Sequence, residues 1–138
     1  MEFEETFAPV ARLEAIRMFL AFSSFQQFKV YQMDVKSAFL IGDLEEEVYI
    51  EKLEGFILGN DEKIVCKIKK SLYGLKQAPR AWYYFLDKYL HQQGFSKGST
   101  DSNLYTKTEN DKLLIVVVYV DDIIFGSNED SIDRKSVV

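Results

Sequence analysis

The run Leu-Leu-Ile-Val-Val-Val-Tyr-Val-Asp-Asp-Ile-Ile-Phe at residues 113–125 sets two adjacent carboxylates between the most apolar stretches of the chain. Leu113–Val120 and Ile123–Phe125 are short and rich in β-branched residues, so they predict two buried strands flanking Asp121 and Asp122. Two like charges beside buried strands are costly unless something neutralises them. One reading makes the pair the exposed tip of a hairpin, where Asp tolerates turn geometry. The other makes it an oxygen-ligand site for a divalent cation such as Mg²⁺. The pair alone leaves both open.

A second acid stands in Tyr31-Gln32-Met33-Asp34-Val35-Lys36. Phe28–Met33 alternates apolar with polar residues and predicts a strand ending at Asp34. The C-terminal end of a strand commonly faces a functional cleft. A helix N-cap or a turn aspartate is the plainer alternative. A shared metal centre needs two strand-associated acid sites, but spacing does not show that these two meet.

The rest of the chain mixes helix and strand. Leu13, Ile16, Met18, Phe19, Phe22 and Phe25 predict a helix over 12–26. Trp82, Phe85, Leu86, Tyr89 and Leu90 form a second helical stripe, with Pro79 in its first turn and Gly94 as its C-cap. Val48–Ile50 and Ile64–Ile68 are short β-rich runs, and Leu104-Tyr105 opens another strand. Without strict βαβ alternation the pattern predicts an α+β fold with a largely antiparallel sheet and packed helices. The 138 residues suit one domain, and 47% hydrophobic content suffices for a core. One cysteine, Cys66, excludes a disulfide framework and a multi-cysteine zinc module, and suggests a reducing compartment. It reads as a small buried residue. The one histidine, His91, reads as a helix-end cap or a solvent-facing side chain.

A formal net charge of −5 argues against a surface that binds nucleic acid everywhere, but the charge is uneven. Asp43–Glu51 carries acids and no base. Lys63–Arg80 carries Lys63, Lys67, Lys69, Lys70, Lys76 and Arg80 and no acid. The acidic N-terminus does not match a signal peptide, and no apolar run approaches the roughly 20 residues of a membrane span. The expectation is a soluble intracellular protein, with a loose charged tail over 127–138.

Four blocks, in order, carry a resemblance: Thr6-Phe7-Ala8-Pro9-Val10-Ala11-Arg12-Leu13-Glu14-Ala15-Ile16-Arg17, the Asp34 segment through Leu40, Ser71-Leu72-Tyr73-Gly74-Leu75-Lys76-Gln77-Ala78-Pro79-Arg80-Ala81-Trp82, and Tyr119-Val120-Asp121-Asp122. Together they resemble the copia-type retrotransposon reverse transcriptase over about residues 3–128. The resemblance implies a partial right-hand polymerase, fingers and palm, in a single domain over 1–138. Its chemistry would be RNA-directed DNA synthesis by two-metal nucleotidyl transfer, with ions roughly 3.5–4 Å apart.

Carried over residue by residue, the resemblance implies Asp34, Asp121 and Asp122 as the catalytic acids. Asp34 and Asp121 would be the main ligands of two Mg²⁺ ions, for which Mn²⁺ can substitute. The Val35 carbonyl would help, and Asp122 would shape the site more than bind. Phe39 matches the aromatic gate that rejects a 2′-hydroxyl, with core packing as its plain alternative. Tyr73, Lys76 and Gln77 fall on the nucleotide-contacting pattern, with Gly74 allowing close backbone approach and Pro79 setting the helix. Lys67, Lys69, Lys70 and Arg80 would contact nucleic-acid phosphates, or simply form a solvated face.

The match departs from the family within the chain and at its ends. Leu53-Glu54-Gly55-Phe56 stands where the family has a Pro-Pro-Gly-Phe turn. The family's upstream basic fingers stretch and its downstream primer grip, thumb and RNase H regions are expected to lie outside this chain. The partners implied are an RNA or DNA template with primer and deoxynucleoside triphosphates, in a full-length parent acting in a cytoplasmic virus-like particle. The isolated chain is expected to extend a primer poorly. The competing reading is a truncated, inactive relic with at most weak metal or nucleic-acid binding.

Overall fold

The computed structural model of the chain describes residues 13–52, 55 and 64–128. Lys63, the Thr6–Arg12 part of the first block, Leu53, Glu54 and Phe56, and the tail beyond Asn128 lie outside the described residues. Every candidate site residue named above lies within them. The described residues divide into two compact units, one within Ser37–Phe85, the other within Ala8–Lys36 and Leu86–Val138. The division falls inside the second helix.

In the second of these units, helix α1 (Leu13–Phe25) leads into strand β1 (Lys29–Asp34). Strands β5 (Leu104–Glu109), β6 (Lys112–Tyr119) and β7 (Asp122–Ser127) follow. With the short β4 (Ser96–Lys97) they make one sheet in the order β1-β7-β6-β5-β4. Every neighbouring pair is antiparallel. The α+β expectation with a largely antiparallel sheet therefore holds.

β6 is buried over Ile115–Val118, on both of its faces. Ile115 and Val117 pack with Phe19 of α1, and partly buried Ile16, Phe28, Leu104 and Ile124 close round them. Gly126 of β7 passes under the Phe19 ring, where a Cβ would stand 3.2 Å from its Cζ. On the opposite face the fully buried Tyr105, paired with Val116, donates its hydroxyl to Asp87 Oδ1 of α2 (Ala78–Gln92) at 2.6 Å. Two covered faces explain why this strand reads as an unbroken apolar run rather than an alternation.

Both helices end in the same backbone device. At α2, Phe95 N–H donates to the Leu90 carbonyl at 3.0 Å and Gly94 N–H to the His91 carbonyl at 3.1 Å, with Gly94 at φ +89°. That is the left-handed stop expected of Gly94. At α1 the same two bonds run from Phe28 to Ser23 and from Gln27 to Ser24, and the left-handed residue is Gln27, at φ 56°.

In the unit within Ser37–Phe85, β2 (Asp43–Ile50) and β3 (Cys66–Lys70) form an antiparallel ribbon. Val48 lies opposite Ile68, and the register is irregular between Asp43 and Val48. Gly42, just before β2, lies so close to α2 that a Cβ there would meet the Ala81 backbone carbon at 2.6 Å.

Three expectations need correction. Cys66 is exposed rather than buried. It stands at the ribbon's end, in a strand where Ile68 alone is even half-buried. Ser127 is not tail: it closes β7 and is buried, paired with Lys29 of β1. The strand seen in the sequence as Val48–Ile50 begins at Asp43, because the charged stretch 43–47 belongs to it. No helix among the described residues is long and apolar enough to cross a membrane.

Candidate functional site

The sheet register brings together two acids far apart in sequence. Asp34, the last residue of β1, lies directly opposite Asp122, the first residue of β7. Directly paired residues of antiparallel strands share a face, so both carboxylates stand on one side of the sheet. Tyr119 of β6 flanks Asp122 on its other side. The β6–β7 connection is the two-residue turn Val120-Asp121, and Val35 N–H donates to the Asp121 carbonyl at 3.0 Å. That bond ties the segment after β1 to the turn.

Of the two turn residues only Val120 has positive φ, at 56°. This is the pattern of a II′ hairpin turn, which favours glycine at that position. A β-branched residue there is strained by on the order of 1–3 kcal/mol. The acids thus sit at a hairpin, as the plainer reading had it, but half-buried at Asp121 and Asp122 and faced by a third acid.

Like charges directly opposite across strands repel. Gln32, two residues before Asp34 on the same face of β1, donates its amide Nε2 to Asp122 Oδ1 at 3.4 Å. Asp34, Asp121, Asp122 and the Val35 carbonyl offer oxygen donors only, the set that suits a hard cation such as Mg²⁺. Among the described residues, however, no three His, Cys, Asp or Glu side chains are grouped closely enough to hold a metal ion. The register pairs two of the three acids and carries the third on the adjoining turn; it does not close all three carboxylates into one cluster.

The other candidate residues lie in the Ser37–Phe85 unit. Ser37, at φ 58°, opens a 3-10 turn, Ala38–Leu40, that carries Phe39. The Phe39 ring packs on the Tyr73 ring, with centroids 5.1 Å apart and planes at 48°. Two positions matched separately to the nucleotide pattern are thus neighbours. Tyr73 is half exposed, and Gly74 after it takes φ +90°, a conformation only glycine adopts freely. Lys76 is exposed and Gln77 half-buried at the entry to α2, where Ala78 is fully buried.

The basic candidates differ among themselves. Lys67 is engaged with Glu47 across the ribbon, and the Tyr49 hydroxyl donates to the same carboxylate at 3.1 Å. The Lys67 bond, and then the Tyr49 bond, hold Glu47 below the usual carboxylate range. Lys69, Lys70 and Arg80 are exposed. Lys70 stands opposite Asp43.

Two groupings escaped the sequence reading. Gln32 was legible in principle, since strand alternation puts residue 32 on the face of residue 34. The other surrounds Asp87. Burial alone would raise its pKa, but the Tyr105 hydroxyl, Lys97 Nζ at 3.0 Å and His91 outweigh it and hold Asp87 below the usual carboxylate range. His91, half exposed in the last turn of α2, also brings Nδ1 to 2.7 Å from the Asp87 carbonyl. Its helix-end placement is as expected.

The family described as "Reverse transcriptase (RNA-dependent DNA polymerase)" matches residues 1–135. The chain is 42% identical over 137 residues to the Retrovirus-related Pol polyprotein from transposon TNT 1-94 of Nicotiana tabacum, covering 98% of this chain and 10% of that protein. It is 40% identical over 129 residues to the corresponding polyprotein from transposon RE1 of Arabidopsis thaliana, covering 94% and 9%. A putative transposon Ty5-1 protein of Saccharomyces cerevisiae is 32% identical over 95 residues, covering 69% and 31%. The chain thus spans about a tenth of the length of its plant relatives. No solved structure matches it.

Proposed function

The chain belongs to the reverse transcriptase (RNA-dependent DNA polymerase) family, as a segment of a copia-type retrotransposon Pol polyprotein, and from that premise we propose that it carries the acids of nucleotidyl transfer. The observation that carries the proposal is the register of Asp34 against Asp122, with Asp121 on the adjoining turn. Asp34 and Asp121 would hold divalent metal, with the Val35 carbonyl, while Asp122 shapes the site. Bound divalent ions supply charge neutralisation at a primer 3′-oxygen and at a departing pyrophosphate. The chain's own part is to hold carboxylate oxygens on a stiff sheet, so that little reorganisation is needed when charge develops. The right-hand fingers and palm arrangement belongs to this reading.

Phe39 would be the sugar gate. Its ring is buttressed by Tyr73, which limits its freedom to yield to a 2′-hydroxyl. Lys76 and Gln77 would meet the triphosphate. Lys69, Lys70 and Arg80 would meet template phosphates, and Lys67 would first have to leave Glu47. Template, primer and deoxynucleotides are the partners this implies.

Primer extension on a primed RNA template, with Mg²⁺ or Mn²⁺, tests the reading. Extension that Asp34→Asn and Asp121→Asn each abolish supports it. Extension indifferent to both substitutions removes the acids from the chemistry. A chain that binds neither Mn²⁺ nor primed template overturns the reading as a whole.

A further inference from the structure

We infer that Gln32 is a positioning residue for Asp122: its side-chain amide orients that carboxylate beside Asp34 and so sets how tightly the site around Asp34 and Asp121 takes a divalent cation. The inference rests on the metal reading proposed above and adds to it a residue outside the acid set.

Three features carry it. First, Asp34 and Asp122 are direct partners across β1 and β7, so their charges face each other with no strand between them. Second, Gln32 shares their face of the sheet. It pairs with Ile124, which places Asp122 on the diagonal, within reach of a long side chain. Third, the amide uses that reach: Nε2 donates to Asp122 Oδ1 at 3.4 Å. At 3.4 Å the bond is long and therefore weak, but it is directed at one oxygen of the carboxylate.

A neutral amide suits this position better than a cation or an acid. A lysine would neutralise Asp122 and repel a cation from the neighbouring carboxylates. A glutamate would put another negative charge on a face that already has two. Gln32 restrains the carboxylate without taking its charge, so less side-chain freedom is lost when a cation binds. Ligands of metals are commonly held this way by hydrogen bonds from residues that never touch the metal.

Mn²⁺ binding to the full chain, followed through the loss of the free-ion paramagnetic resonance signal, tests the inference. Gln32→Met keeps length and removes the donor. It should weaken Mn²⁺ binding about threefold to tenfold, the range of one modest hydrogen bond. The metal-free thermal midpoint should barely move, because the bond is exposed. In an Asp122→Asn background, Gln32→Met should have no further effect, because the residue acts through Asp122. An effect of equal size in both backgrounds would make Gln32 a direct ligand or a general structural residue, and would overturn the inference. So would a wild-type affinity retained by Gln32→Met; if Asp122→Asn still weakened binding, the metal reading would survive alone. A wild-type chain that takes up no Mn²⁺ would overturn both.

Discussion

Asp87 shows how much a single side chain of this fold has to reconcile. Its carboxylate is 24% exposed, yet it stays ionised because Tyr105, Lys97 and His91 converge on it. Its folded pKa is depressed below the ordinary 3.8. The network therefore contributes stability that is complete above that value and is lost as pH falls through the lower folded value. Asp87→Asn should leave the stability curve flatter than wild type as pH falls below 3.8, by denaturant titration at several pH values. Tyr105→Phe should cost about 1–2 kcal/mol at neutral pH, since it withdraws a donor from a mostly buried carboxylate. None of this was legible in sequence: Asp87 reads there as one more polar position on a helix. By contrast, Asp34, Asp121 and Asp122 stood out as candidates, because acids at the ends of apolar runs are conspicuous, although each kept a plain turn or cap reading beside it. Their pairing was not, because register is a property of two strands at once.

Elements were legible where their own residues carry the signal. The stripe from Trp82 to Leu90 and the stop at Gly94 locate α2 closely. The end of α1 is different, because Gln27 does the work of a glycine and no glycine marks it. Gln27→Gly should therefore stabilise the chain by about 0.5–1 kcal/mol, as relief of left-handed strain outweighs the added freedom of the unfolded chain. A thermal midpoint below wild type would show that the Gln27 side chain contributes something else. The β5–β6 hairpin turns on Asn110-Asp111, both at positive φ, a pair well suited to a I′ turn. β2 hid behind its acids, because Asp43–Glu47 resembles a solvated loop until its pairing with β3 is seen. Gly42 matters through a neighbour remote in sequence: Gly42→Ala should cost about 2 kcal/mol or more, because the α2 backbone leaves no room for a Cβ. Equal unfolding free energies for the two proteins would sink that account of the approach.

At the scale of the whole chain, the net charge of −5 and the facing acids make one joint claim about metal. Any cation screens a negatively charged chain, so salt alone should raise its stability modestly. A divalent ion held by Asp34 and its neighbours should do more, because binding to the folded state adds stability as RT ln(1 + [L]/Kd), about 2.7 kcal/mol at a hundred times Kd. The two effects separate in a thermal series at fixed ionic strength, with MgCl₂ or MnCl₂ exchanged for NaCl. Wild type should melt higher in the divalent salt. Asp34→Asn combined with Asp122→Asn should melt at the same temperature in both. In NaCl alone the double variant should also melt above wild type, since it removes two like charges set opposite each other across β1 and β7. Lower stability of the double variant in NaCl would mean that the carboxylates support the metal-free fold through partners other than each other. An equal divalent shift in both proteins would place the ion elsewhere on the acidic chain, with Asp43–Glu51 the first stretch to test.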